Sequence, residues 1–312
     1  IEPRMSQSPR IAEGRIVEAY GRRAIVEYGG GERGACEVFG KRLAVVCGDG
    51  VRVSFAQTQD VPRIVERLPR KTLFARTDSQ GRSEELAANL SLLAMLIAPE
   101  PEVDPFVADR YLAGAAYAGI DTCVVVNKCD LASAQSPSFV ALVEEFESAG
   151  YTVLRASAET RQGIEQLQAN LQPHTAMFVG QSGVGKSSLT NVLVPHSMRP
   201  VRTISASTRE GRHTTVSAAL FRLPEGGELI DTPGVRDYAP PPVSDAQIQS
   251  GWPELAPLAP GCRFNDCLHL REPACAVLKA VEEGRIARRR YESYKRLVNL
   301  MRSLLPSYER PR

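Results

Sequence analysis

The sequence has no run approaching the eighteen or so apolar residues that a membrane-spanning helix requires. Its first ten residues, IEPRMSQSPR, hold no apolar core of a secretory leader, so the reading is a cytoplasmic protein. No 20 to 50 residue repeat and no low-complexity segment is present, which excludes solenoids and disordered tails as the organising principle. Aromatics are scarce, at 6% with one tryptophan, so an extended base-stacking surface is not expected. The seven cysteines are an odd number. They do not make a disulfide framework, and Cys36, Cys47, Cys123 and Cys129 read as small buried hydrophobes. A net charge of +2 excludes a strongly polyelectrolyte chain.

What is present is enough length, 312 residues, for two or three domains with a real core. Residues 14–66 read as short strands, GRIVEAY, RAIVEY, GACEVFG, RLAVV, RVSFA and RIVERL, split by glycine-rich turns. That pattern predicts a small antiparallel barrel, an OB-fold with an SH3-like barrel as the alternative. SEELAANLSLLAMLIA reads as a helix or a helix-to-strand passage. From DPFVADRYLAGAAYAGI onward, helices alternate with strands DTCVVVNK, YTVLRASA and TAMFVG, which implies a mostly parallel sheet covered on both faces. VSAALFRLP and ELIDTPG form a hairpin, and Pro240 to Pro242 mark a boundary before a mostly helical C-terminal part. The expected division is therefore a barrel over 1–67, a central α/β domain over 68–240 and a helical domain over 241–312.

Gly180-Gln-Ser-Gly-Val-Gly-Lys-Ser matches G-x-x-x-x-G-K-[ST] between an apolar strand and a helix. Gly180, Gln181, Ser182, Gly183, Val184 and Gly185 would wrap backbone N–H groups around phosphate. Lys186 would reach the β and γ oxygens, Ser187 would ligate Mg²⁺, and Ser188 continues the helix start. The loop specifies a nucleoside triphosphate without specifying its base. Asn127-Lys128-Cys129-Asp130 supplies the base: the Asp130 carboxylate accepts from the two donors on guanine that adenine lacks, and the Lys128 stem packs along the ring. Ser157 and Ala158 close the next strand where a backbone N–H would meet the guanine oxygen. Asp231-Thr-Pro-Gly234 offers a carboxylate to Mg²⁺ through water and an N–H to the γ-phosphate. Thr208 to Val216 reads as a switch segment in which Thr214 or Thr215 binds Mg²⁺.

Val235 stands where Ras-type chains carry a water-orienting glutamine. Slow intrinsic hydrolysis follows, with the water positioned by His213 or by a partner's group. The candidate catalytic set is thus Lys186, His213, Thr214, Thr215 and Gly234. The base box precedes the phosphate loop, the reverse of the Ras order, so the domain is expected to be circularly permuted. Farther on, Cys262-x4-Cys267-x-His269-x5-Cys275 is a closed Cys₃His set that signals one structural Zn²⁺. Nine Lys/Arg against two acids from Arg285 to Arg312 read either as the solvated face of an amphipathic helix or as a phosphate-contacting surface.

RLPR, ANL, DRYL, NKCDL, GQSGVGKSSL, GRHTT, DTPGVRDY, WPEL, CRFNDCLHLREPACAV and RRYESYKRL together resemble the ribosome small subunit-dependent GTPase A family (RsgA, also YjeQ or YloQ). The resemblance implies an OB-fold, a permuted GTPase domain and a zinc-binding domain, and a monomer that binds the 30S subunit and 16S rRNA and acts in late subunit maturation. GTP and GDP are its substrate and product, with turnover stimulated by the subunit. Two departures stand out: EPAC replaces a glycine usual before the last cysteine, and the long basic N-terminal tail of some members is absent. The rival readings are a guanine-nucleotide regulator of a protein partner without an RNA role and, opposed by Asn127 and Asp130, an ATPase.

Overall fold

A computed structural model describes residues 10–55, 61–78, 81–194, 218–232 and 238–304. The first strands are β1 (Arg10–Tyr20), β2 (Arg23–Tyr28), β3 (Arg33–Val38), β4 (Gly50–Phe55) and β5 (Arg63–Arg67). They close into a ring, β1-β2-β3-β5-β4 and back to β1, in which β3 and β5 run parallel. This ring order is the OB-fold. Alternation drives it: one side of each strand fills a core of Ile16, Ala24, Val26, Cys36, Val38, Val51, Val53 and Ile64. RLAVV is not a strand, contrary to expectation. Its Leu43 and Val45 plug the same core from a loop, so an apolar pattern that looks like pairing is spent on filling a barrel end.

Two further strands, β6 (Leu73–Thr77) and β7 (Ser83–Ala88), make a separate hairpin, and β6 was not anticipated. SEELAANLSLLAMLIA is therefore not a helix but β7 followed, after Asn89 at φ +57°, by β8 (Leu92–Ile97). Leu, Ala and Met favour helix locally. Here β8 lies between two parallel neighbours with all six residues buried, and tertiary context overrides propensity.

The remaining elements are α1 (Pro105–Tyr117), β9 (Asp121–Val126), α2 (Pro137–Ser148), β10 (Thr152–Arg155), α3 (Ile164–Leu171), β11 (Thr175–Val179), α4 (Lys186–Leu193), β12 (Ala219–Arg222) and β13 (Glu228–Asp231). The sheet order is β10-β9-β8-β11-β13-β12, parallel except for β12. Successive residues of β8 feed two different cores, Leu93, Met95 and Ile97 on the α1–α2 side and Leu92, Ala94 and Leu96 on the α3–α4 side. The chain steps outward from β8 to β10 and then returns to the other side of β8 as β11. Ligands of open α/β sheets bind above such a switch point, at the carboxyl ends of the strands.

The barrel joins this sheet through the Glu18–Ala219 pair of β1 and β12. Arg70 cements the joint, donating to the fully buried Asp49 carboxylate of the barrel and to Glu85 of β7. The C-terminal part holds α5 (Asp245–Ser250), α6 (Ala276–Glu282) and α7 (Arg288–Leu304) around Trp252, Leu255, Tyr294, Leu297 and Met301.

Candidate functional site

The base box and the phosphate loop meet. Asn127, fully buried at the end of β9, donates from Nδ2 to the Val184 carbonyl at 2.8 Å. Its Oδ1 is buried without a protein partner. The approach is so close that a Cβ on Gly185 would lie 2.2 Å from Asn127 Nδ2, and Gly185 sits at φ +94°. Glycine is required there on both counts. Gly180, at φ +143°, lets the loop pass Leu96 of β8, whose carbonyl a Cβ would meet at 2.4 Å. Residues separated by more than fifty positions thus share one crevice above β9, β8 and β11.

Within the loop, Ser182 and Gly183 are exposed, as are Ser187 and Ser188 in the first turn of α4. Lys186 folds back, its Nζ donating to the Gly180 and Gln181 carbonyls at 2.7 and 2.8 Å. Gln181 turns its side chain away from the loop, and its Oε1 accepts from Asp104 N–H at 3.0 Å. Lys128, at φ +59°, donates to the Glu100 carbonyl at 2.8 Å, while Asp130 is exposed beside it. Cys129 N–H donates to Ala156 O, which binds the base box to the loop carrying Ser157 and Ala158. Ser157 is fully buried and its Oγ accepts from Thr160 N–H, closing that loop. Asp231 ends β13, the strand next to β11, partly exposed. His213, Thr214, Thr215, Gly234 and Val235 lie outside the described residues.

Of the four cysteines read as buried hydrophobes, Cys36, Cys47 and Cys123 are buried, but Cys129 is only half-buried at the base-box turn. Burial pushes the Cys123 thiol up to about 12, so it is inert at neutral pH.

The second site is compact. Cys262 Sγ, Cys267 Sγ, His269 Nδ1 and Cys275 Sγ gather, with the candidate ligand atoms within 4.8 Å of one another. Gln249 of α5 fixes the imidazole: its Nε2 donates to Cys267 O at 2.8 Å, so its Oε1 faces His269 Nε2 at 2.9 Å and accepts that N–H. The Nδ1 lone pair is left pointing at the thiols. Burial, helped by the neighbouring Cys275 and Cys262 thiols, pushes the Cys267 thiol up to about 12, and burial depresses the His269 imidazole, so charged ligands need a cation to compensate them. Glu272 organises the intervening loop, its carboxylate accepting from the N–H groups of Leu268, Leu270 and Arg271. Gln249 and Glu272 carried no signal in the sequence, because neither follows a ligand spacing.

The basic C-terminal stretch divides: Arg288 and Arg296 lie on the exposed face of an amphipathic α7, as expected, while other arginines turn inward to ion pairs. Arg290 is 1% exposed and Arg289 half-buried, and both donate to the wholly buried Asp109 of α1. Arg290 also forks onto Glu254, and Arg289 pairs with Glu145. Arg302 pairs with Asp245 and Lys295 with Glu292. The signal was present in DRYL and RRYESYKRL, whose charged residues prove to be each other's partners.

A family model described as RsgA GTPase matches residues 67–239. The Small ribosomal subunit biogenesis GTPase RsgA of Pseudomonas syringae pv. tomato is 42% identical over 264 residues, 84% of this chain and 77% of that protein. The chain belongs to the RsgA GTPase family. A second member with that name, from Pseudomonas fluorescens Pf-5, is 42% identical over 91% of this chain and 84% of its own. Among solved RsgA-type structures, YjeQ from Thermotoga maritima superposes with a TM-score of 0.69 at 29% identity, covering 95% of this chain and 99% of that one. YloQ, described as a circularly permuted GTPase, shares the fold at a TM-score of 0.71 and 22% identity over 99% of this chain and 100% of its own. The strand order agrees with a permuted arrangement: the base box precedes the phosphate loop in sequence, yet the two meet through the Asn127–Val184 hydrogen bond.

Proposed function

We propose that this protein hydrolyses GTP to GDP and phosphate, slowly by itself and faster on the small (30S) ribosomal subunit, and that it acts in late maturation of that subunit through contact with 16S rRNA. The observation that carries the nucleotide reading is the Asn127–Val184 hydrogen bond, which ties base recognition to phosphate binding in one crevice. Asp130 and Lys128 would read and cover guanine. The loop from Gly180 to Ser188 would hold the phosphates by its N–H groups, with Lys186 releasing the Gly180 and Gln181 carbonyls to reach the β and γ oxygens. Ser187, Asp231 and Thr214 or Thr215 would hold Mg²⁺, which neutralises developing charge on the phosphates. Gly234 N–H would meet the γ-phosphate and His213 would position the attacking water. Water adds to the γ-phosphorus as the bond to the GDP oxygen breaks.

The Cys₃His set fits a structural Zn²⁺: four soft or borderline donors, closed and oriented by Gln249, with no open position for chemistry. The domain division proposed is 1–67, 68–240 and 241–312, in a cytoplasmic monomer. The barrel supports an RNA contact, since Phe39 is 56% exposed with the Arg63 guanidinium 5.3 Å over its ring and Arg22 and Arg23 alongside. No helix among the described residues is long and apolar enough to cross a membrane. The deciding experiment is GTP turnover with and without purified 30S particles, joined to co-sedimentation in GDP and in a non-hydrolysable GTP analogue. Stimulated turnover with analogue-dependent pelleting is expected; unchanged turnover and equal weak pelleting would overturn the ribosomal role in favour of a protein partner.

A further inference from the structure

Helix α1 is gripped by different parts of the molecule at its N-terminus and again about one and a half turns along. At its N-terminus, Asp104 caps the helix by accepting from Phe106 and Val107 N–H, and its own N–H donates to Gln181 of the phosphate loop. Five residues later, Asp109 takes two guanidinium groups: Arg289 at 2.7 Å and Arg290 at 2.5 Å. An α-helix rises about 1.5 Å per residue, so the two grips are roughly 8 Å apart along a stiff rod. Arg290 then fans outward, bidentate on Glu254 and 4.5 Å from the Trp252 ring, in the core that also contains Cys267 and Cys275.

The opposite side of α1 collects the chain that leaves β13. Tyr238 stacks on Tyr111 of α1 at 4.4 Å and on Phe74 at 5.0 Å. The fit demands Gly114, where a Cβ would lie 2.2 Å from the Tyr238 hydroxyl. Farther along, Tyr117 donates to Ile248 O of α5, and a Cβ on Gly251 would strike Tyr117 at 2.6 Å. Phosphate loop, post-β13 chain and cysteine-cluster core therefore all bear on one helix. Asp109 is costly as mere packing, because a buried ion pair is commonly no more stabilising than apolar residues of similar volume. Two guanidinium groups on one buried carboxylate, one of them bidentate on Glu254, suit a part that must not slip.

We propose that α1 is a lever carrying the nucleotide state of the phosphate loop to the C-terminal region, with Asp109 and Arg290 as positioning residues that grip its far side. The proposal rests on the nucleotide reading above. Its reporter is built in, since Trp252 is the only tryptophan of the chain and lies against Arg290. In the full-length protein, calorimetry would measure binding of GDP and of a non-hydrolysable GTP analogue while Trp252 emission is recorded for the free and the two bound states. Emission should differ between the two nucleotides. Asp109→Asn, which keeps shape and removes the charge, and Arg290→Met should still bind both nucleotides while losing at least half of that difference. Arg290→Lys should fall between wild type and Arg290→Met. If wild type binds both nucleotides and Trp252 emission is the same in each, or if Asp109→Asn keeps the whole difference, the lever is overturned. Absence of nucleotide binding in wild type would instead overturn the function proposed for the crevice.

Discussion

The nucleotide crevice and the cysteine cluster are built in opposite ways. The crevice is made largely of backbone: three glycines at positive φ, carbonyls that hold lysines in reserve, and strand ends brought together from Leu96, Asn127, Ser157 and Gly180. The cluster is made of side chains that arrive together between Cys262 and Cys275, with Gln249 of α5 and the Tyr291 and Tyr294 hydroxyls of α7 reaching in from outside. A backbone site depends on the sheet that positions it and survives loss of most individual side chains. A side-chain site confined to one short loop would depend on its metal to order that loop, even where Cys267 and Cys275 reach the neighbouring core.

Metal removal is the strongest way to separate the two. Structural zinc is worth on the order of 10 kcal/mol in small domains. Chelation, or Cys267→Ser, should therefore cost amide-exchange protection throughout α6 and the loop before it. Because α1 couples the regions without building the crevice, GDP affinity should shift by no more than about tenfold. Loss of all GDP binding would mean that the crevice cannot stand without the cluster, and the contrast between them would fail.

The reciprocal test is Gly185→Ala. The added Cβ meets Asn127 Nδ2 at 2.2 Å on a backbone at φ +94°, so the loop must move and the Asn127–Val184 hydrogen bond must break. A loss of about 3 kcal/mol, roughly 100-fold in GDP affinity by calorimetry, is expected. Protection of α6 should stay as in wild type.

How much of each site could be read in advance follows the same division. The cluster's ligands were legible because their spacing is local, and the phosphate loop because its glycines follow a fixed phosphate-cradling pattern. The supports of both were not. The loop pattern gives Gln181 a role for its backbone N–H and none for its side chain, which reaches Asp104; Gln249 and Glu272 have no periodicity to betray them. LLAMLI stays ambiguous between helix and strand, and RLAVV reads as a strand that does not form, because local propensity and alternation do not say whether an apolar run will pair, be covered on two faces or plug a barrel. DRYL and RRYESYKRL stand out as motifs in the sequence, but only folding reveals that a buried carboxylate and two arginines answer each other across some 180 positions.

The cluster's dependence on its loop can be graded more finely with Glu272. Burial alone would raise its carboxyl; the backbone N–H groups of Arg271, Leu268 and Leu270 outweigh that and hold it below the usual carboxylate range. A carboxyl depressed on folding adds stability at neutral pH. That contribution begins to fade as pH falls past the unfolded value near 4.3 and is gone below the folded one. Glu272→Ala leaves three N–H groups without their acceptor and should cost about 2 kcal/mol in urea unfolding of the C-terminal region. The same variant should also lose the wild-type decline in stability between about pH 5 and pH 3 that this group supplies.

The smallest effect concerns the backbone turn beside the last cysteine of the cluster. Ala274, next to the ligand Cys275, is exposed and sits at φ +57°, the left-handed region in which a Cβ crowds the following carbonyl. Holding an alanine there costs about 1–2 kcal/mol, while glycine adds unfolded-state entropy worth about 0.4–1 kcal/mol. The difference leaves Ala274→Gly stabilising by about 0.5–1 kcal/mol, read as a higher urea midpoint for the C-terminal region with no change in GDP affinity. A metal on Cys275 would already hold it in place, so the gain should be larger in the chelated protein than in the metal-loaded one if the loop keeps its left-handed turn without metal. An equal or negative effect in both would show that the turn at Ala274 is not where the loop's strain resides.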